Sequence, residues 1–145
     1  MKRKYPKVII SEEGEKWLDK GQMWMYRNNA VNIDETIENG ALVDIITTTG
    51  RYLGTGFISK NSHITVRILS KDINEIFDRN FFKRRIQFAY DFRKTVEKEN
   101  LTNCRLVFGE ADELPGLTVD RYNNILVWQI RSYGLDKIKD MIYVI

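Results

Sequence analysis

Two rhythms of apolar residues run along the chain, and one replaces the other near Lys71. The first is the rhythm of short strands. Lys7-Val8-Ile9-Ile10 predicts a strand, and Ser11 behind it is a helix N-cap. Glu12 and Glu13 fill the first turn, where carboxylates meet the positive end of the helix dipole. That helix should run to about Lys20 and stop at Gly21, with Trp17 and Leu18 turned inward. Gln22 to Val31 reads as extended, and Asn32 to Gly40 as polar and turn-like. Three strands follow in close order: Ala41 to Thr47, Arg51 to Ser59 and His63 to Leu69. The last alternates strictly, with Ile64, Val66 and Ile68 on one side and Thr65 and Arg67 on the other. Gly54 and Gly56 inside a strand mark a bulge or a close backbone approach.

The second rhythm is helical. Asp72 with Glu75 three residues on has the form of a capping box, and a long helix should extend to about Asn100. On a helical wheel, Phe81, Phe82, Ile86, Phe88, Ala89, Phe92 and Val96 share one face, and Lys83, Arg84, Gln87, Asp91 and Lys94 the opposite one. Arg85 falls inside the apolar arc, so it needs a carboxylate or several carbonyl partners, with Glu110, Asp112, Glu113 and Asp120 as candidates. Strands are predicted at Arg105 to Phe108, Leu117 to Asp120 and Ile125 to Ile130, then a short helix from Leu135 to about Met141. The apolar ending Met141-Ile142-Tyr143-Val144-Ile145 predicts that the natural polypeptide continues into another strand. The fold class is therefore α+β: a small barrel or sandwich over residues 1–72, then a smaller unit over residues 73–145 with a long helix and antiparallel strands.

Charge narrows the partners only a little. The net charge is +3, with ten lysines and arginines against eight acids up to residue 70 and thirteen against twelve beyond it. No polybasic tail exists, so any nucleic-acid surface must be assembled by folding. A lone cysteine, Cys104, fits a reducing cytoplasm. No apolar run approaches the roughly 20 residues needed to span a bilayer, so no membrane partner is expected.

Catalytic motifs are missing. There is no glycine-rich dinucleotide fingerprint and no phosphate-binding loop, and the single histidine, His63, argues against a histidine-based metal site or a catalytic triad. No catalytic residue and no metal ligand is assigned. His63 reads as a turn residue and Cys104 as a small packing residue. Glu110, Asp112 and Glu113 form a dense acidic group that suits acid/base work, but salt bridges to Arg85 and Arg121 account for it more simply. Arg27, Arg51, Lys60 and Arg67 fall at turns or on outward strand positions, where phosphates would be met.

Two segments carry a resemblance. Gly21-Gln22-Met23-Trp24-Met25-Tyr26-Arg27, Gly40 to Ile46, Gly50 to Phe57 and Ser62 to Leu69 resemble the PUA domain of the S-adenosylmethionine-dependent ribosomal RNA (cytosine-5) methyltransferases. Phe81-Phe82-Lys83-Arg84-Arg85 and the run Arg105 to Tyr122, through Leu114-Pro115-Gly116, resemble the central domain of the same family. Asn28-Asn29-Ala30 departs from that pattern. The resemblance implies a PUA-like β-pseudobarrel and then a small α+β domain. It also implies a role in docking large-subunit ribosomal RNA through Arg27, Arg51, Lys60, Arg67, Lys83 and Arg84. By the same resemblance Glu110, Asp112, Pro115, Gly116, Asp120 and Arg121 would lie near a cleft facing a Rossmann-type methyltransferase domain. Nothing in this sequence corresponds to that domain, so S-adenosylmethionine is expected for the whole enzyme and no cofactor for these residues. A free-standing RNA-binding, ribosome-associated adaptor is the alternative.

Overall fold

The computed structural model describes residues 3–145. The chain divides into two units, one up to Glu75 and one from Ile76. In the first unit the elements follow in the order β1 (Lys7–Ile10), α1 (Glu12–Asp19), β2 (Trp24–Tyr26), a 3-10 turn (Arg27–Asn29), β3 (Ala30–Asn32), β4 (Leu42–Thr47), β5 (Tyr52–Ile58) and β6 (Ile64–Ser70). The strands make one sheet in the order β2-β6-β5-β4-β1-β3. β1 runs parallel to β4, from Lys7 opposite Asp44 to Ile10 opposite Thr47, and the other pairings are antiparallel. The outermost strands β2 and β3 are consecutive in the chain and separated only by the turn Arg27–Asn29. The sheet must therefore curl until its edges approach, which makes a half-barrel.

Burial explains the curl. Val8, Ile10, Met25, Val43, Ile45, Ile58, Val66 and Ile68 point into one core, and Leu18 of α1 closes it. Ser11 caps α1 as expected, its Oγ accepting from the Gly14 N–H at 3.2 Å. Gly56 is required where β5 presses on β6: a Cβ there would lie 2.0 Å from the Arg67 carbonyl oxygen. The strict alternation expected of β6 is not kept, because Thr65 and Leu69 are both fully buried. Shifts of register at Met25/Tyr26 and Thr55/Gly56 rotate the strand against its neighbours and carry outward positions under cover.

A polar knot lies on the same sheet. The buried Asp44 carboxylate accepts from Arg3 Nε at 2.8 Å, from Arg3 Nη2 at 3.0 Å and from Thr55 Oγ1 at 2.5 Å. Arg3 also bonds the Ile73 carbonyl and stacks over Tyr5 and Tyr52. The carboxylate raises the Arg3 pKa above its ordinary value against the opposing effect of burial.

In the second unit α2 (Arg79–Glu97) begins at Asp78, whose Oδ1 accepts from the Phe81 N–H at 3.0 Å. The capping box expected at Asp72 does not form: Asp72 Oδ1 instead accepts from the Asn74 N–H at 2.9 Å in a tight local turn. The expected buried face of α2 also needs correction. Phe81, Phe82, Ala89 and Arg93 are buried, whereas Phe88, Phe92 and Val96 are half or more exposed. The inward stripe is Phe82, Arg85, Ile86, Ala89 and Arg93, at the three- and four-residue spacing of a helix face. It lies to one side of the apolar face because both arginines find carboxylates. Arg85 pairs with Glu113, and Arg93 Nη2 with Asp112 Oδ2 at 2.7 Å.

β7 (Asn103–Phe108), β8 (Leu117–Tyr122) and β9 (Ile125–Ile130) make a three-stranded antiparallel sheet in that order. Between β8 and β9 Asn123 takes a positive φ of 55°, as a tight hairpin turn requires. One side of the sheet, Val107, Val119 and Trp128 across the three strands, lines an apolar pocket with Ile86 and Tyr90 of α2. α3 (Tyr133–Lys137) and α4 (Lys139–Tyr143) follow. The apolar ending is therefore helical over Lys139–Tyr143 rather than strand-like, with Ile142 as its buried anchor and the Tyr143 ring against Trp128 at 5.2 Å.

Candidate nucleic-acid interface

The seam of the half-barrel is also its cleft. The turn Arg27–Asn29 is pinned from both sides: the Ser11 N–H donates to the Asn29 carbonyl at 2.7 Å, and the Arg27 N–H to the His63 carbonyl at 3.0 Å. Asn29 Oδ1 accepts from the Tyr26 N–H at 3.2 Å and fixes the entry into the turn. Around this turn opens a cleft of ≈ 960 Å³. Glu13, Lys16, Trp17 and Lys20 come to it from α1, Tyr26 to Asn29 from the seam, and His63 from the foot of β6.

Rigid aromatics form the cleft wall. The Trp17 indole N–H donates to the Trp24 carbonyl at 3.1 Å, and its ring stands 6.1 Å from Tyr26, which meets Trp24 edge-on at 6.5 Å. Three cations, Lys16, Lys20 and Arg27, face a single acid, Glu13. A groove with that charge ratio, aromatic walls and two asparagine amides suits a polyanion whose bases or sugars are partly accessible.

Of the six cations expected to meet RNA, the four in the first unit are not gathered in one place. Arg27 lies in the cleft and bonds the Lys60 carbonyl, which sets Lys60 beside it; the Lys60 ammonium donates to the Glu35 carbonyl at 2.7 Å. Arg51 is held on α1 by Glu15 at 2.6 Å and Asp19 at 2.9 Å, which raise its pKa. Arg67 sits in β6 between Trp24 and Phe57, half-buried. Lys83 and Arg84 belong to α2 in the second unit and are exposed, Arg84 stacking over Phe81 at 5.7 Å. Lys16, Lys20 and His63 join the cleft without any expectation from the sequence. A signal exists, since Lys16 and Lys20 stand four apart on one helix, but nothing local says that β6 begins beside that helix.

The acid-rich segment is largely structural. Asp112 Oδ2 takes Arg93 and also the Phe108 N–H at 2.6 Å. Asp120 is bridged twice by Arg105, at 2.7 and 3.1 Å, and that pairing lowers its pKa. Arg121 Nε donates to the Asn123 carbonyl at 2.7 Å. Pro115 is buried, and Gly116 turns with φ of 87° against Ser132. Glu110 is exposed in the 3-10 turn Gly109–Asp112. Burial raises the Cys104 thiol pKa, helped by Glu97 and opposed by Arg93 and Arg121. Among the described residues no group of three or more histidine, cysteine or acidic side chains could hold a metal ion, and no helix is long and apolar enough to cross a membrane.

Comparison with known proteins agrees with this architecture. Residues 8–71 match the model of a PUA-like domain. Over 131 residues the chain is 43% identical to ribosomal RNA large subunit methyltransferase I of Shewanella amazonensis, covering 90% of this chain and 33% of that protein. The same-named protein of Shewanella denitrificans is 38% identical over 136 residues, covering 92% and 34%. The chain thus spans about a third of the length of the curated relatives it matches. Among solved structures, a candidate SAM-dependent methyltransferase from Streptococcus mutans superposes on 96% of this chain and 36% of its own, with a TM-score of 0.82 at 22% identity, a likeness of fold. Residues 8–71 of the half-barrel are accordingly similar to a PUA-like domain, and together with the α+β unit that follows it the chain is similar, over nine-tenths of its length, to part of the ribosomal RNA large subunit methyltransferases.

Proposed function

We propose that this chain is the RNA-docking portion of a cytoplasmic, S-adenosylmethionine-dependent ribosomal RNA (cytosine-5) methyltransferase. The observation that carries the reading is the seam cleft, where Lys16, Lys20 and Arg27 converge beside Trp17 and Tyr26 on a PUA-like domain. The names of the relatives supply the substrate class, large-subunit ribosomal RNA. The cleft would grip structured RNA by phosphate and shape, with Asn28 reaching sugar or base edges while the buried Asn29 holds the turn. Lys83 and Arg84 on α2 would give the second unit RNA contacts of its own, and the segment from Glu110 to Arg121 would lie, in this reading, near the substrate. Methyl transfer needs the target base drawn out of its stack. The docking part then serves by holding the flanking RNA still.

S-adenosylmethionine does not suit the cleft itself. Its sulfonium is a cation, and three of the cleft's four charged side chains are cations too. No catalytic step is assigned to these residues, and the cofactor belongs, in this reading, to a separate Rossmann-type domain.

The test is a titration of structured ribosomal RNA fragments across a salt series. Affinity should fall steeply with salt, and changing Lys16, Lys20 and Arg27 together to alanine should flatten the log–log slope by about one for each phosphate no longer neutralised. Unchanged affinity and slope in that variant would refute the cleft as the docking site. S-adenosylmethionine should show no binding to the chain, and tight binding would overturn the division of labour.

A further inference from the structure

The second unit has an open sheet face that neither α2 nor the terminal helices cover. Strand register defines it. Asn103, Tyr122 and Ile125 lie abreast, then Arg105, Asp120 and Val127, then Phe108, Thr118 and Gln129. The opposite face carries Val107, Val119 and Trp128 into the α2 pocket. A shift of register between Arg105 and Val107 is what brings Phe108 to the same side as Arg105. The Arg105 guanidinium accordingly lies 5.2 Å from the centre of the Phe108 ring.

This face has the composition of a stacking platform. Phe108 and Tyr122 expose 54% and 55% of their surface, although neither ring has a packing role on the buried side. They stand roughly 13 Å apart along the strand direction, four residues of β8 at about 3.3 Å each, with Arg105 between them. Asp120 grips Arg105 through both of its oxygens, so the guanidinium is fixed rather than free to fold away. Arg131 lies over the same side, its Nη2 donating to Gln129 Oε1 at 3.2 Å. Around Tyr122 there is a depression of ≈ 400 Å³ lined by Asn103, Cys104, Arg105, Asp120 and Arg121. Arg105 and Arg131 against Asp120 leave this face net positive, which favours a polyanion over a hydrophobic protein segment.

We propose that the open face of the β7-β8-β9 sheet is a second RNA-contacting surface, which stacks unpaired bases on Phe108 and Tyr122 and holds the adjoining phosphates with Arg105 and Arg131. Every base has a π-face, so such a platform takes single strands with little regard to sequence, and it discriminates against duplex, whose bases are already stacked. The inference rests on the RNA reading above and adds a division of duties to it. The seam cleft grips folded RNA, and the sheet face takes the strand that has been opened.

The experiment titrates a labelled single-stranded RNA of about eight nucleotides, and a duplex of the same sequence, against five forms of the whole chain. These are the wild type, Phe108→Ala, Tyr122→Ala, Tyr122→Phe and the triple alanine variant at Lys16, Lys20 and Arg27. Each aromatic truncation should weaken single-strand binding by roughly 5- to 150-fold, the worth of one base stack, and leave duplex binding as in the wild type. Tyr122→Phe should keep single-strand affinity, because only the ring is needed. Both rings are more than half exposed, so the variants should stay folded, as unchanged far-ultraviolet circular dichroism would confirm. Single-strand affinity unmoved by both truncations, in a protein whose binding the triple variant does weaken, overturns this inference alone. A wild type that binds neither RNA form overturns the docking function as well.

Discussion

Removing the carboxylate of Asp112 should strongly destabilise the second unit rather than merely alter a surface. Arg93 and Asp112 leave only 10% of each side chain exposed, and their atoms meet at 2.7 Å. Arg93 Nε is spent on the Arg105 carbonyl at 2.8 Å, and the same Asp112 oxygen takes the Phe108 N–H at 2.6 Å. Asp112→Ala therefore strands a buried guanidinium and a backbone donor together. Breaking a buried pair on one side costs about 3–5 kcal/mol, and an unsatisfied donor about 1–3 kcal/mol, although the two penalties share one cavity and will not add in full. A loss of at least 3 kcal/mol is a large share of the roughly 5–15 kcal/mol available to an ordinary domain. Hydrogen exchange at the β7 and β8 amides reads the second unit separately from the half-barrel, which matters because a chain of two units need not unfold in one step. A double-mutant cycle with Arg93→Met should return a coupling of about 1–3 kcal/mol. A loss under 1 kcal/mol, the range of exposed pairs, would refute the structural role and return Asp112 to the candidates for direct work on RNA.

Other expectations follow from the same geometry. Gly56→Ala should lower the half-barrel's melting stability by about 1–3 kcal/mol or more, since β5 and β6 must part to admit the methyl group; a neutral effect in denaturant titration would contradict the close approach. The Arg105–Asp120 bridge depresses the Asp120 pKa, so its stabilisation is full above the ordinary carboxylate value of 3.8 and is lost as pH falls through the lower folded value. Acid titration of an Asp120→Asn variant should accordingly show a shallower loss of stability below pH 4 than the wild type, and parallel curves would deny the bridge a role. Cys104, with its thiol pKa raised by burial, should alkylate with iodoacetamide more slowly at neutral pH than a free thiol; reaction at the free rate would show the thiol to be open.

Local chemistry in the sequence reaches most of the elements. Ser11, Gly21, the turns at 48–50 and 122–124 and the strand runs all act through their nearest neighbours, and they appear within a residue or two of the predicted places. The departures lie where distant parts decide. The wheel assigns Phe88 and Phe92 to the core because they are apolar, but Asp112, some twenty residues away, makes Arg93 the better inward residue. Arg85 shows the reverse case, since its awkward position on the wheel does foretell a carboxylate, and Glu113 supplies it. The cleft is half legible. Arg27 stands out at a turn, whereas Lys16, Lys20 and His63 gain their meaning only when β2, β6 and α1 converge, and periodicity holds no record of that.

The seam has a consequence for how the molecule assembles. Closing the half-barrel joins Trp24 to Arg67 and Lys7 to Asp44, partners far apart along the chain, while the hairpins β4-β5 and β5-β6 form between near neighbours. Loop-closure entropy delays distant pairings, so the edges at Arg27–Asn29 should be the last part of the first unit to order and the first to open. RNA seated across that seam would bind only the closed form, and so would act as a clasp, stabilising the half-barrel by mass action as its concentration rises above the dissociation constant. Affinity and the lifetime of the closed barrel then become a single quantity, and any change that loosens the turn should appear as weaker docking even where every group that meets the RNA is intact.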